Sequence, residues 1–107
     1  MMFSVRQKDE LLEDLVSCLQ GDGEIRKIVV FGSFLSDANP NDLDVAVFQD
    51  STQPYLPLAL KYRRQTRSVS ARIPLDIVPV KQGSQGAFLS EIRKGKVIYE
   101  KRSRAVA

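Results

Sequence analysis

The stretch that decides the fold reads IVVFGSFLSDANPNDLDVAVF and runs from Ile28 to Phe48. Two runs of branched and aromatic residues, at 28–31 and 43–48, have the composition of buried strands. Gly32 and Ser33 follow the first run directly, and an Asn-Pro-Asn turn sequence precedes the second. We therefore predict a strand, a tight turn into a short helix, and a second strand.

The second predicted strand begins with two carboxylates, Asp42 and Asp44. Side chains two residues apart on a strand point to the same side of a sheet, so both carboxylates share one face. Two like charges held this close repel each other, and a divalent cation that binds both is the simplest way to stabilise them. The preceding turn offers free backbone N–H groups for phosphate oxygens, Gly32 allows close approach, and Ser33 adds a hydroxyl donor. The pattern predicts a metal-dependent phosphate site.

This arrangement resembles the nucleotidyltransferase superfamily related to DNA polymerase beta, and within it the minimal nucleotidyltransferases. The pattern of that family is a strand, a Gly-Ser pair, a short helix, Asp-hydrophobic-Asp on the next strand, and a third Asp on a later strand. Gly-Ser at 32–33 and Asp-Leu-Asp at 42–44 match, and Asp76 supplies the third carboxylate. The resemblance implies that Gly32 and Ser33 bind the nucleotide. It also implies that the metal ligands and catalytic carboxylates are Asp42, Asp44 and Asp76, with the last helping to deprotonate the acceptor.

The resemblance also implies a reaction and a partner. The reaction is transfer of a nucleoside monophosphate from a nucleoside triphosphate, with ATP as the expected substrate, to a hydroxyl acceptor. Two Mg²⁺ ions about 4 Å apart would neutralise charge on the attacking and leaving oxygens. Minimal nucleotidyltransferases often act as antitoxins that bind and modify a helical HEPN-type ribonuclease, so such a protein is the expected partner. Three properties stay open: the nucleobase, the acceptor and the oligomeric state. A homo-oligomer is one alternative for the last.

A departure from the family pattern favours an alternative. Many minimal nucleotidyltransferases carry Gly-Ser-x-Ala-Arg-Gly, whereas Ser36 and Asp37 stand at the Arg and Gly positions here. An arginine is a natural phosphate partner, so its absence favours a catalytically weak or inactive protein that binds a partner. Taken singly, a Gly-Ser pair after a strand is more often a plain turn with a helix cap, and Asp76 is equally typical of a solvated strand residue.

Composition limits the number of domains, the catalytic chemistry and the location that we expect. The 107 residues, of which 43% are hydrophobic, suffice for one domain, expected over residues 1–100 with a frayed tail at 101–107. The sequence has no histidine, which excludes imidazole acid–base catalysis, and its one cysteine, Cys18, is expected to pack in the core. No apolar run approaches the ~20 residues of a membrane span, so we expect no membrane association and a cytoplasmic location.

Charge is divided unevenly along the chain. Residues 1–60 carry a net charge of −6, and residues 61–107 carry +9. A basic group near 61–67 is either a solvated helix face or a surface for a polyanion, such as a nucleic acid, or for an acidic protein. Arg72 differs from this group, because it lies four residues before Asp76. A bend at Pro74 is one arrangement that brings it close to a bound triphosphate.

Periodicity and turn signals predict the elements. The predicted helices cover 7–20, 33–37, 55–69 and 84–93, and the predicted strands cover 26–31, 43–49, 73–80 and 96–100. Ser84 is the expected cap of the last helix. Pro74 and Pro79 remove backbone donors from the third strand and predict either an edge position or an irregular ladder for it. The expected fold class is α/β, a small mixed sheet covered by helices and similar to nucleotidyltransferases.

Overall fold

The chain alternates helices and strands around one four-stranded sheet. A computed structural model describes residues 2–81 and 86–101. The helices are α1 (Val5–Leu19), α2 (Ser33–Ser36), α3 (Tyr55–Gln65), α4 (Arg67–Ser70) and α5 (Ala87–Arg93). The strands are β1 (Ile25–Phe31), β2 (Leu43–Gln49), β3 (Leu75–Lys81) and β4 (Lys96–Glu100). No helix of the described part combines the length and apolarity needed to cross a membrane.

The sheet is mixed, as predicted, and its strands are ordered β3-β2-β1-β4. β1 runs antiparallel to both β2 and β4, whereas β2 runs parallel to β3. Of the two arrangements predicted from the prolines of the third strand, the edge position is confirmed, because β3 pairs only with β2 within the described ranges. A tight connection through α2 suffices between β1 and β2, while the parallel β2–β3 pair needs the longer crossover through α3 and α4.

Alternation along the strands divides the core into two clusters. The larger lies between one sheet face and α1, α3 and α4, and it includes Leu11, Leu15, Ile28, Val30, Val45, Val47, Leu58, Tyr62, Val69 and Ile77. The smaller lies on the opposite face, where Ile92 of α5 packs on Val29, Ala46 and Val80. Most of the buried apolar surface therefore lies on the sheet face that α1 covers. The other face has fewer apolar side chains, and polar side chains lie at one end of it.

Helix α1 begins and ends where local chemistry favours it. The Ser4 hydroxyl accepts from the Gln7 backbone, and the Gln7 side chain accepts from Ser4 N–H in return, which satisfies two free donors of the first turn. The helix ends at Leu19, and the Gly-Asp-Gly segment at 21–23 follows its C-cap, Gln20. Cys18 is partly buried and packs against the larger cluster, as predicted, with its Sγ 3.5 Å from Ser68 Oγ.

The prediction of one continuous helix over 55–69 is wrong, because Thr66 divides this segment into α3 and α4. The Thr66 hydroxyl donates to the Tyr62 carbonyl at 2.8 Å, and its backbone φ of −111° lies outside the helical range. A threonine hydroxyl that bonds to the preceding turn competes with the backbone and bends a helix. The third strand begins at Leu75 rather than at 73, since the Pro74 carbonyl accepts from Leu43 but its nitrogen has no hydrogen to donate.

Two other predictions meet the limits of the described residues. The last helix begins at Ala87 rather than at 84, and the expected cap, Ser84, lies outside the described residues. Lys101, the first residue of the predicted tail, donates its backbone N–H to the Arg26 carbonyl and its ammonium to the Gly23 carbonyl, each at 2.8 Å. The rest of that tail, 102–107, also lies outside them.

Candidate active site

The turn between β1 and α2 lies close to the carboxylate of Asp44. Gly32 has a φ of +80°, a conformation that favours glycine. A Cβ atom at this position would lie 2.5 Å from Asp44 Oδ2, so even alanine would displace that carboxylate. Gly32 therefore allows the turn and the start of β2 to come close together.

Three carboxylates meet at this end of the sheet. Asp44 faces Asp76 in the parallel pairing of β2 with β3, and Asp42 precedes β2 by one residue. One oxygen from each of the three side chains lies within 4.8 Å of the others. Asp42 and Asp44 are half-buried, and Asp76 is exposed, so the cluster is open to solvent from the β3 side. The sequence prediction therefore named residues that the fold brings together, although their roles remain a prediction.

The cluster carries uncompensated negative charge. Burial, together with the neighbouring charges of Asp42 and Asp76, raises the pKa of Asp44 above its ordinary value of 3.8. Within residues 2–81 and 86–101, no lysine or arginine forms an ion pair with any of the three. Oxygen ligands that repel one another at this spacing suit a hard divalent cation such as Mg²⁺, which prefers carboxylates. The donor set thus fits the predicted metal.

The position of α2 depends on a lysine that the sequence analysis did not identify. Lys8 Nζ, on α1, donates to the carbonyls of Phe34 and Asp37, each at 2.6 Å. These carbonyls lie at the C-terminal end of α2, where a cation satisfies free acceptors and the helix dipole. The contact joins residues 26 and 29 positions apart, and no local motif signals it.

Replacing Lys8 with methionine should loosen α2 without touching the carboxylates. Two charge-assisted hydrogen bonds are lost, and because the site is partly solvated we expect a loss of about 1 kcal/mol in the free energy of unfolding. Chemical denaturation of Lys8→Met measures this loss, and Arg6→Met, on an exposed position of the same helix, serves as its control. Equal stability of the two variants would mean that Lys8 does not hold α2.

Ser33 and Ser36 are the first and last residues of α2, and Asp37 follows as its C-cap. Ser33 is the first residue of α2 and is exposed, as a phosphate donor must be. The Asp37 carboxylate accepts from the Asn39 backbone N–H at 3.0 Å, so this aspartate serves the turn that leads to β2. Arg72 forms an ion pair with Asp14 of α1, on the opposite face of the sheet, and its predicted approach to a triphosphate is not supported.

Replacing Ser33 with alanine should weaken nucleoside triphosphate binding by roughly 0.5–1.5 kcal/mol, the usual size of one hydrogen bond. The Ser33 hydroxyl stands at the turn, one residue from Gly32, whereas Ser36 stands at the other end of α2. Calorimetric titration with magnesium and ATP compares Ser33→Ala with the matched control Ser36→Ala. If both variants bind as the wild type does, the turn has only a structural role.

Comparison with known proteins found a matching family model and solved structures of similar fold. The family described as polymerase beta, nucleotidyltransferase matches residues 13–104. A structure of a tri-AMPylated Shewanella oneidensis HEPN toxin in complex with an MNT antitoxin contains a similar fold, with a TM-score of 0.66 and 16% identity over 88% of this chain and 73% of that chain. A crystal structure of the MntA–HepT toxin–antitoxin is also similar, with a TM-score of 0.58 and 16% identity over 87% and 73%. None of the curated proteins is significantly similar in sequence.

The family match covers the turn, the carboxylate cluster and all four strands. The structural likeness, at such low identity, independently supports the fold. Together they show that this chain belongs to the polymerase beta nucleotidyltransferase family.

Proposed function

We propose that this protein transfers a nucleoside monophosphate from a nucleoside triphosphate to a hydroxyl acceptor, with release of pyrophosphate, in a reaction that depends on a divalent metal. The observation that carries the proposal is the cluster of Asp42, Asp44 and Asp76, whose oxygens lie within 4.8 Å of one another beside the Gly32 turn. Phosphoryl transfer needs mainly positioning and charge neutralisation, and this end of the sheet offers groups for both.

Each residue has a role that its surroundings suit. Asp42, Asp44 and Asp76 would hold Mg²⁺, which when bound supplies neutralisation of the phosphate charge. Gly32 and Ser33 would bind phosphate oxygens through the backbone and the hydroxyl. Asp76 is the most exposed of the three carboxylates and would accept the proton of the acceptor hydroxyl.

ATP as the donor and a HEPN-type protein as the partner complete the proposal. The similar Shewanella oneidensis structure pairs an MNT antitoxin with a tri-AMPylated HEPN toxin, and the MntA–HepT structure is that of another toxin–antitoxin. We propose that this chain likewise acts as an antitoxin on a helical HEPN-type protein. The fold of the neighbours supports the inference, while their low identity leaves the acceptor to experiment.

Labelled nucleotides provide the test. The protein is incubated with Mg²⁺, each α-labelled nucleoside triphosphate in turn, and a native lysate that contains candidate acceptors. We expect label to enter an acceptor from ATP with the wild type and not with a variant that carries both Asp42→Asn and Asp44→Asn. Asp9→Asn, at an exposed position of α1, is the matched control and should transfer label normally.

A second candidate is a catalytically weak protein that binds a partner through a vestigial site. The specific observation in its favour is that Ser36 and Asp37 replace the Arg and Gly of many relatives, and that Asp37 is used in a turn. Calorimetry separates the two candidates. Absence of Mg²⁺-dependent nucleotide binding favours the vestigial site, whereas binding with transfer supports the enzyme.

A further inference from the structure

The outward side of α3 exposes apolar side chains that the core does not use. Leu56 and Leu60 are 64% and 44% exposed, and Tyr55 at the start of the helix is 59% exposed. Leu56 and Leu60 are four residues apart and therefore adjacent on one helix face. The opposite face of α3, with Leu58, Ala59 and Tyr62, is buried and already covers the sheet. The exposed leucines thus need an explanation outside the core.

Three arginines stand beyond the leucines, two on the same face of α3 and one past the break at Thr66. Arg63 and Arg64 follow Leu60 by three and four residues, and Arg67 begins α4. All three are exposed, and among the described residues none has an ion-pair partner. Lys61, on the flank of α3, differs from them because it pairs with Asp22 at 2.8 Å and with Glu24 at 3.6 Å. The apolar stripe therefore leads into a group of positive charges that the protein itself does not neutralise.

We infer that this surface, defined by Leu56, Leu60, Arg63, Arg64 and Arg67 and named here the α3 surface, binds an acidic amphipathic helix of a protein partner. Leucines four apart form the ridge against which another helix packs, and apolar anchors beside charges are typical of helix recognition. Carboxylates at one end of the partner helix complement the arginines and fix its direction. A nucleic acid needs the arginines but gains little from two exposed aliphatic side chains.

The α3 surface is separate from the carboxylate cluster. Helix α3 packs on the sheet face that carries Val45 and Val47, whereas Asp44 lies on the opposite face with Ala46. The inference therefore goes beyond the proposed function and does not rest on it. A partner bound at α3 leaves the Gly32 turn and the carboxylates open.

Nuclear magnetic resonance titration of the full ¹⁵N-labelled chain provides the test. One probe is a synthetic helical peptide with two leucines four residues apart followed by two glutamates, and a second peptide has lysines in place of the glutamates. We expect the glutamate peptide to shift the backbone resonances of 55–67. Leu60→Asp, and a second variant with Arg63→Glu and Arg67→Glu, should each weaken its binding about tenfold or more.

Two control variants introduce a similar change of charge at exposed positions outside the α3 surface. Val5→Asp, at the start of α1, and Lys94→Glu, just after α5, should bind the glutamate peptide as the wild type does. Circular dichroism and Mg²⁺–ATP titration of every variant show that the fold and the separate nucleotide site are retained.

Three outcomes would overturn the inference. They are equal binding of the lysine and glutamate peptides, equal loss in the control variants, and shifts of the α3 surface by a deoxythymidine oligonucleotide in preference to the glutamate peptide. The last result would assign the surface to nucleic acid. Failure of these tests with normal nucleotide binding leaves the proposed function standing, and failure of nucleotide binding alone leaves the α3 surface standing.

Discussion

Asp44→Asn is expected to reduce nucleotidyl transfer about 100-fold or more and to abolish tight Mg²⁺ binding. Loss of residues that only support metal ligands costs about 10–100-fold, so loss of a proposed ligand should cost at least the upper end of that range. Asp44 is central to the cluster, since it faces Asp76 in the sheet and contacts the Gly32 turn. Asparagine keeps the size of the side chain, and the fold should survive.

The same substitution should stabilise the metal-free protein at neutral pH. The pKa of Asp44 is raised in the folded state by burial and by the charges of Asp42 and Asp76, so ionisation of this group opposes folding. The protonated carboxyl of Asp44 favours folding, and this contribution is complete below the unfolded pKa, which is near 3.8. It is lost as the pH rises through the folded pKa. Because solvent screens these charges, we expect Asp44→Asn to raise the midpoint of thermal unfolding by about 2–4 °C, or roughly 0.5 kcal/mol.

Thermal unfolding is measured in a chelator and in excess Mg²⁺, at several pH values. It checks both the predicted loss of Mg²⁺ binding and the predicted stabilisation of the metal-free protein. The wild type should gain stability from Mg²⁺, and Asp44→Asn should gain little. The stability advantage of the variant in chelator should shrink as the pH falls through the folded pKa of Asp44. Asp9→Asn, which changes a carboxylate on α1, should behave as the wild type. Unchanged Mg²⁺ stabilisation in Asp44→Asn would contradict the metal assignment.

Asp76→Asn is expected to slow turnover about 10²–10⁴-fold, the range of a lost general base, while nucleotide affinity falls by less than about tenfold. We expect the effects on turnover and on affinity to differ because of where the three carboxylates lie. Asp76 is exposed at the β3 edge, where we expect the acceptor to approach, whereas Asp42 and Asp44 are half-buried near the Gly32 turn. A residue that acts on the acceptor should affect the chemical step more than triphosphate binding.

Single-turnover transfer and calorimetric ATP titration, made on the same preparation of Asp76→Asn, measure the two quantities separately. The Asp9→Asn control should change neither. A variant that loses ATP affinity and turnover by the same factor would show that Asp76 is mainly a metal ligand. Normal turnover would remove Asp76 from the proposed chemistry altogether.

Local pattern was sufficient where the chain has strong periodic signals. The predicted bounds of β2 and β4, 43–49 and 96–100, are those of the structure, because apolar runs with turn residues at their ends have few alternatives. The boundary between α3 and α4 was missed, since the apolar pattern continues through Thr66. The Thr66 hydroxyl bonds to the Tyr62 carbonyl at that break, and an apolar pattern does not report such bonds.

The sequence by itself determined the fold class, the Gly-Ser turn and the alternation that places Asp42 and Asp44 on one face, because these follow from the period of a strand and the freedom of glycine. Only the tertiary structure decided that Asp76 faces Asp44, since that depends on the register of two strands separated by two helices. It also decided that Lys8 supports α2. Such contacts join distant parts of the chain, and their free energy appears only once the core has brought those parts together.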